Sequence, residues 1–209
     1  MKKTLMVFAS GTETGGGSGF QVLAKSAQKG IIDGDIVAVV SNHAYGGVKE
    51  KADELGIPFI HFDGPYTKSA YQDIVSQFQP DLVCLSGWLK LVKGLDPKTT
   101  INIHPGPLPR YGGRGMYGQH VHEAVFNDGL QNSAVTMHFV TKKYDQGPIF
   151  FQIPVDISSA TTAHGISRLV NRVEHTWQPV ITNMVLQGDI SWDGSNPQSL
   201  RIPKEYDHL

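Results

Sequence analysis

Cysteine is almost absent: Cys84 is one residue in 209. No disulfide can form within the chain, and Cys84, set in the apolar run Leu82-Val83-Cys84-Leu85, is expected to be an inert core thiol. An excess of either charge is missing too, with 18 Lys+Arg against 19 Asp+Glu and a net charge of −1. No polyanion-binding face follows, so nucleic acid is not an expected partner. No apolar stretch is long enough to span a bilayer. The N-terminal apolar run Leu5–Ala9 is short and leads into a glycine loop, so it reads as a first strand rather than the core of a signal peptide. The expected setting is therefore cytoplasmic. With 40% hydrophobic and 18% charged residues, the composition is that of a globular chain, and a single domain over 1–209 is expected.

The patterning alternates between strands and helices. Strands are expected at Leu5–Ala9, Asp35–Val40, Phe59–Phe62, Leu82–Leu85 and Thr100–His104, in short continuous apolar runs suited to burial on both faces of a parallel sheet. Helical spacing falls between them at Gly19–Lys29, Gly47–Gly56 and Tyr66–Phe78. The second half adds a helix over Met116–Asn127, strands at Ser133–Val140 and Phe150–Val155 that pair antiparallel, and a long helix over His164–Leu186 with a kink at Pro179. Short strands are expected around Ile190 and Leu200. The fold class is α/β: a Rossmann-like, open, mostly parallel sheet with helices on both faces and antiparallel strands added in the C-terminal half.

Chemistry concentrates at Asn102-Ile103-His104-Pro105 and at Asp145 in Tyr144-Asp145-Gln146-Gly147-Pro148. Asn102 and His104 lie two apart, so on a strand end both point to one face. An amide can donate to a developing oxyanion, an imidazole can move a proton, and a carboxylate can hold the imidazole. Both motifs also occur as ordinary turns. The functional reading predicts that the three side chains converge at the C-terminal end of the sheet. His120 and His122 are two apart on a helix and do not share a face, so no metal pair is expected there. Trp88 and Trp177 read as core, and His138 reads equally well as a satisfied strand histidine.

The loop Ser10–Gly19, with glycines at 11, 15, 16, 17 and 19, joins the first strand to the first helix. Backbone N–H groups beside a helix N-terminus suit a phosphate. The dinucleotide reading fails because the second strand ends in Val40-Ser41-Asn42, without the acidic residue that would bind a ribose. A P-loop is excluded by the lack of Gly-Lys-Ser/Thr. A phosphate monoester on a small substrate is expected, with Ser18 as N-cap.

With these residues placed, the chain resembles the phosphoribosylglycinamide formyltransferases of the formyltransferase family. The resemblance is carried by the Ser10–Gln21 loop, Val40-Ser41-Asn42, Pro80–Trp88, Ile101–Pro105 with Leu108-Pro109, Val135–Val140 and Asp145–Pro148. It implies formyl transfer from 10-formyltetrahydrofolate, as co-substrate, to the amine of glycinamide ribonucleotide in de novo purine (IMP) biosynthesis, with no metal. It implies catalytic roles for Asn102, His104 and Asp145. Gly11, Gly17, Ser18 and Gly19 would hold the phosphate, and Glu174 the ribose hydroxyls. The folate would lie along Trp88, Leu89, Lys90, Leu91 and Val92 and the loop carrying Thr141, Tyr144 and Gly147. Partners would be these two small molecules, the chain acting as monomer or homodimer. The glycine loop is longer than the family's usual one, Gly19 stands for a usual Asn, Lys90 for a common Arg, and Gly106 for a common Ser.

Two alternatives stand beside this reading. One is a related folate formyl-group enzyme: a 10-formyltetrahydrofolate hydrolase, or a formyltransferase acting on methionyl-tRNA or an amino sugar. The other is a non-catalytic nucleotide-binding module, which would leave the Asn102, His104 and Asp145 set unexplained.

Overall fold

Leu5, Met6, Val7 and Phe8 are each 0% exposed, so the first strand must be covered on both faces. The computed structural model, which describes residues 2–206, shows how. In chain order the elements are β1 (Lys3–Phe8), α1 (Ser18–Gln28), β2 (Gly34–Ser41), α2 (Gly47–Leu55), β3 (Phe59–His61) and α3 (Lys68–Ser76). Then follow β4 (Leu82–Ser86), β5 (Thr100–His104), α4 (Gln119–Asn127), β6 (Asn132–Phe139), β7 (Ile149–Asp156) and α5 (Ala163–Gln187). The seven strands form one sheet in the order β3-β2-β1-β4-β5-β6-β7. β1 to β5 pair in parallel, and β6 and β7 join antiparallel.

Alternation along each strand feeds two cores. Leu5 and Val7 pack with Phe20 and Leu23 of α1, Val48 and Ala52 of α2, and Ile166, Val170 and Ile181 of α5. Met6 and Phe8 point the other way, into a core with Tyr71 and Ile74 of α3, Phe62 and Trp88. Burying a Phe side chain such as Phe8 contributes about 1.5–3 kcal/mol, and the sheet centre holds a continuous set of such residues.

Several boundaries differ from the expected ones, for local reasons. α3 begins at Lys68 rather than Tyr66 because Thr67 caps it, its hydroxyl accepting from Ala70 N. α4 begins at Gln119 rather than Met116, since positive φ at Gly113, Gly115 and Gly118 keeps 112–118 non-helical. Ser18 is not the N-cap of α1. Gly17 holds that position at φ 74°, with no side-chain cap, and Ser18 is the first helical residue. The expected short strands near Ile190 and Leu200 are one isolated bridge, Ser191 to Arg201. α5 runs on through Pro179 as a single helix. Cys84 is buried in the first core, and burial pushes its thiol pKa up.

The topology fixes where a ligand can sit. From β1 the chain moves outward to β2 and β3, then returns across the sheet to β4 on the other side of β1. Between the C-terminal ends of β1 and β4, the connections diverge and leave a crevice. The glycine loop leaves β1 there, Gly87 and Trp88 leave β4, and His104 closes β5 beside them. Ser10 ties two of these exits together: its N–H donates to Gly87 O at 3.0 Å, and its hydroxyl accepts from Leu89 N at 3.0 Å.

Candidate active site

A cleft of about 610 Å³ occupies this crevice and runs from the glycine loop to Asn102, His104 and Asp145. β5 sets the first two side chains. Ile101 and Ile103 face the first core, so Asn102 and His104 face the opposite side of the sheet. The antiparallel register of β6 places His138 opposite Asn102 and Thr136 opposite His104. Asp145 lies on the β6–β7 loop in the left-handed region, at φ 53°. Asp tolerates that conformation better than most residues. The Gly113 N–H holds the carboxylate through Oδ2 at 2.8 Å.

One carboxylate oxygen faces two rings: Asp145 Oδ1 is 3.8 Å from His104 Nδ1 and 3.5 Å from His138 Nε2. His104 Nε2 donates to Tyr111 O at 2.7 Å. The neutral ring therefore keeps its proton on Nε2 and turns an Nδ1 lone pair toward Asp145. His138 Nδ1 donates to Phe139 O at 2.8 Å, so in its neutral form Nε2 accepts from Asn102 Nδ2 at 3.0 Å. Only a doubly protonated His138 could donate to Asp145. His138 thus fixes which end of the Asn102 amide faces which way, leaving one Nδ2 proton free.

The electrostatics keep these roles separate. Burial lowers the pKa of His104, and it outweighs the opposing pull of Asp145 and the Tyr111 carbonyl. Burial raises the pKa of Asp145, but His138, His104 and the Gly113 amide outweigh it and hold the carboxyl below its ordinary range. At neutral pH the pair is a neutral imidazole beside an ionised carboxylate. Burial pushes Glu174 up to about 7, against a weak opposing bond from Asn171 Nδ2 at 3.3 Å. His122 is pushed down to about 4, mainly by burial and secondly by His104.

Of the residues expected at the site, Gly11, Gly17, Ser18, Gly19, Trp88, Leu89, Asn102, His104, Tyr144, Asp145 and Glu174 line this one cleft. Lys90, Leu91, Val92, Thr141 and Gly147 do not. Val92 is core, 5% exposed, and Lys90 Nζ sits 5.5 Å from the Tyr66 ring centroid. A side chain on Gly147 would overlap Phe139 O, so that residue serves the tight backbone of the β6–β7 loop. Trp88 is both wall and core: its Nε1 donates to Tyr71 OH at 3.1 Å, and its ring meets Phe8 edge-on at 5.4 Å. His122, Asn171, His175 and Gln178 also line the cleft. His122 Nδ1 and His175 Nε2 have no hydrogen-bond partner among the described residues. His122 was legible only as half of a metal pair that the helical spacing argues against, and Gln178 carried no signal beyond its helical spacing from Glu174.

The family model described as "Formyl transferase" matches residues 3–182. The chain belongs to the formyl transferase family. It is 34% identical over 220 residues to the chloroplastic phosphoribosylglycinamide formyltransferase of Arabidopsis thaliana, covering 98% of this chain and 74% of that one. It is 28% identical to phosphoribosylglycinamide formyltransferase of Bacillus subtilis, over 88% of this chain and 95% of the relative. Glycinamide ribonucleotide transformylase 1 from Symbiobacterium toebii has the same fold at a TM-score of 0.83, with 26% identity, covering 96% and 94% of the two chains.

Proposed function

We propose that this family member transfers the formyl group of 10-formyltetrahydrofolate to the primary amine of glycinamide ribonucleotide, the phosphoribosylglycinamide formyltransferase step of de novo purine (IMP) biosynthesis. The observation that carries the proposal is the continuity of the cleft. At one end are glycine-loop amides beside the N-terminus of α1, suited to a phosphate monoester. At the other are an amide, a neutral imidazole and an ionised carboxylate, suited to acyl-type transfer. As part of the same proposal, the enzyme is a cytoplasmic monomer or homodimer acting on these two small molecules.

The folate supplies a formyl carbon bound to a nitrogen that can leave. As the acceptor amine bonds to that carbon, the free Asn102 Nδ2 proton donates to the oxygen on which charge develops. Removing one such donor typically costs about 2.7–4 kcal/mol of transition-state stabilisation. His104 Nδ1 takes the proton that the attacking amine loses. The imidazolium then faces Asp145, whose carboxylate stabilises it from 3.8 Å. The same proton passes to the folate nitrogen as its bond to the formyl carbon breaks, so the amine loses one proton and the departing nitrogen gains one.

The test is product analysis with both substrates present. Formylated ribonucleotide and tetrahydrofolate should appear one to one. Release of formate at the same rate with or without the ribonucleotide would instead identify a hydrolase.

A further inference from the structure

Gln178 is a buried polar side chain in the cleft wall for which the chemistry above has no task. It follows Glu174 by four residues on α5, so the two share a helix face, and it lines the cleft together with the glycine loop. It is 2% exposed. Its Nε2 donates to Ser86 Oγ at 3.0 Å, and the Ser86 hydroxyl returns a longer contact to Oε1 at 3.4 Å. A primary amide has two N–H donors. The second has no protein acceptor among the described residues, since Ser86 is the sole side-chain partner of Gln178. A buried donor left unused is costly, and an oxygen entering the cleft would remove that cost.

The location of the amide says which part of a ligand it would meet. A Cβ on Gly19 would overlap Ser86 Oγ and stand 3.2 Å from Gln178 Oε1. The Ser86–Gln178 pair therefore fills the space that a side chain at 19 would take, directly against the first turn of α1. Nothing from residue 19 screens the amide from the glycine loop. The end nearer residue 19 is Oε1, and because the Ser86 hydroxyl both donates and accepts, the amide turns over to present Nε2 to the loop without losing Ser86.

We propose that Gln178 contacts the ribonucleotide, donating its second amide proton to a phosphate oxygen held over Gly16–Gly19, while Ser86 positions the amide. This inference rests on the formyltransferase reading, which supplies the phosphate monoester. A hydrogen bond to a charged oxygen is stronger than a neutral one, and its loss should cost about tenfold in affinity.

The experiment measures KM for each substrate, and inhibition by ribose 5-phosphate, in wild type, Gln178→Leu, Gln178→Glu and Ser86→Ala. Gln178→Leu should raise KM for the ribonucleotide and Ki for ribose 5-phosphate about tenfold, with kcat and KM for the folate unchanged. Gln178→Glu keeps an acceptor for the Ser86 hydroxyl but sets a carboxylate against the phosphate. It should raise both values further, with a loss that added salt relieves little, since the site is buried. Ser86→Ala should act in the same direction and less. If Gln178→Leu fails to fold, the near-isosteric Gln178→Glu decides. A ribonucleotide KM indifferent to Gln178→Glu, or an equal rise in KM for both substrates, would mean that Gln178 merely packs. A wild type that neither uses the ribonucleotide nor binds ribose 5-phosphate would overturn the functional reading itself.

Discussion

At the scale of single residues, the account turns on His104. Its Nε2 proton is committed to Tyr111 O, so Nδ1 is the nitrogen that can work in the cleft. Replacing His104 by Ala, or Asp145 by Asn, should lower kcat by roughly 10²–10⁴, the usual range for an acid–base contribution. Circular dichroism and the thermal midpoint should stay near wild type. The pH profile has a defined sign: His104 titrates below its ordinary 6.5, so activity should hold down to about that pH and fall only as His104 gains a proton below it. Glu174 acts in the other direction. Its carboxyl, near 7, ionises as pH rises from 6 to 8; if the ribose hydroxyls donate to it, as the family resemblance implies, KM for the ribonucleotide should fall over that interval. Glu174→Gln should flatten this dependence, which steady-state kinetics at three pH values would show. Asn102 and His104 were legible because strand periodicity alone puts them on one face. His138 was legible only as an even choice between a site residue and a satisfied strand histidine, because its partnership with Asn102 depends on how β6 registers against β5, a long-range pairing that no local pattern encodes.

At the scale of elements, the glycine loop is the part that sequence reading described least well. Thr12 and Gly15 pair with each other, Thr12 N donating to Gly15 O at 2.9 Å, so the added residues form a small hairpin. That hairpin rests on the start of α2: a Cβ on Gly46 would overlap Thr12 O, and one on Gly47 would reach within 2.5 Å of the Gly15 carbonyl carbon. Gly46-Gly47 reads as a plain turn in the sequence because its purpose lies in a neighbouring loop. Gly46→Val should displace the hairpin and raise KM for the ribonucleotide several-fold. The KM for the folate should change little, and equal changes in both would contradict the role of the hairpin. The Trp88–Val92 segment teaches a related lesson. Its apolar run suggested one continuous wall for the folate, yet the chain turns after Leu89 and sends Val92 into the second core. An apolar residue in a loop can serve either wall or core, and only packing distinguishes them.

At the scale of the whole molecule, the parallel order of β1 to β5, the antiparallel addition of β6 and β7 and the placement of helices on both faces were all legible. Continuous apolar runs mark strands buried on both sides, and helix-length connections force parallel crossovers. The price of building a site into this crevice is a set of histidines withdrawn from water, His104 and His122 buried and His175 half-buried. Burial lowers the pKa of His104, His122 and His175, with His122 falling to about 4. The unfolded chain binds protons at these sites first, so the stability they contribute is complete above pH 6.5 and is lost as pH falls toward 4. Glu174 has the opposite sign, its contribution disappearing as pH rises from 4.5 to about 7, but it is one group against three. Urea midpoints should therefore fall between pH 7 and pH 4.5, and His122→Gln should reduce that slope by close to one proton.

The most direct measurement compares two acceptors of the formyl group: glycinamide ribonucleotide, and glycinamide without its phosphoribosyl group. Both carry the same reacting amine. If one cleft anchors the phosphate at the glycine loop and presents the amine to Asn102, His104 and Asp145, kcat/KM should be greater for the ribonucleotide by at least about 10³, the scale expected when remote binding positions a reacting group. Equal kcat/KM for the two acceptors would contradict the account.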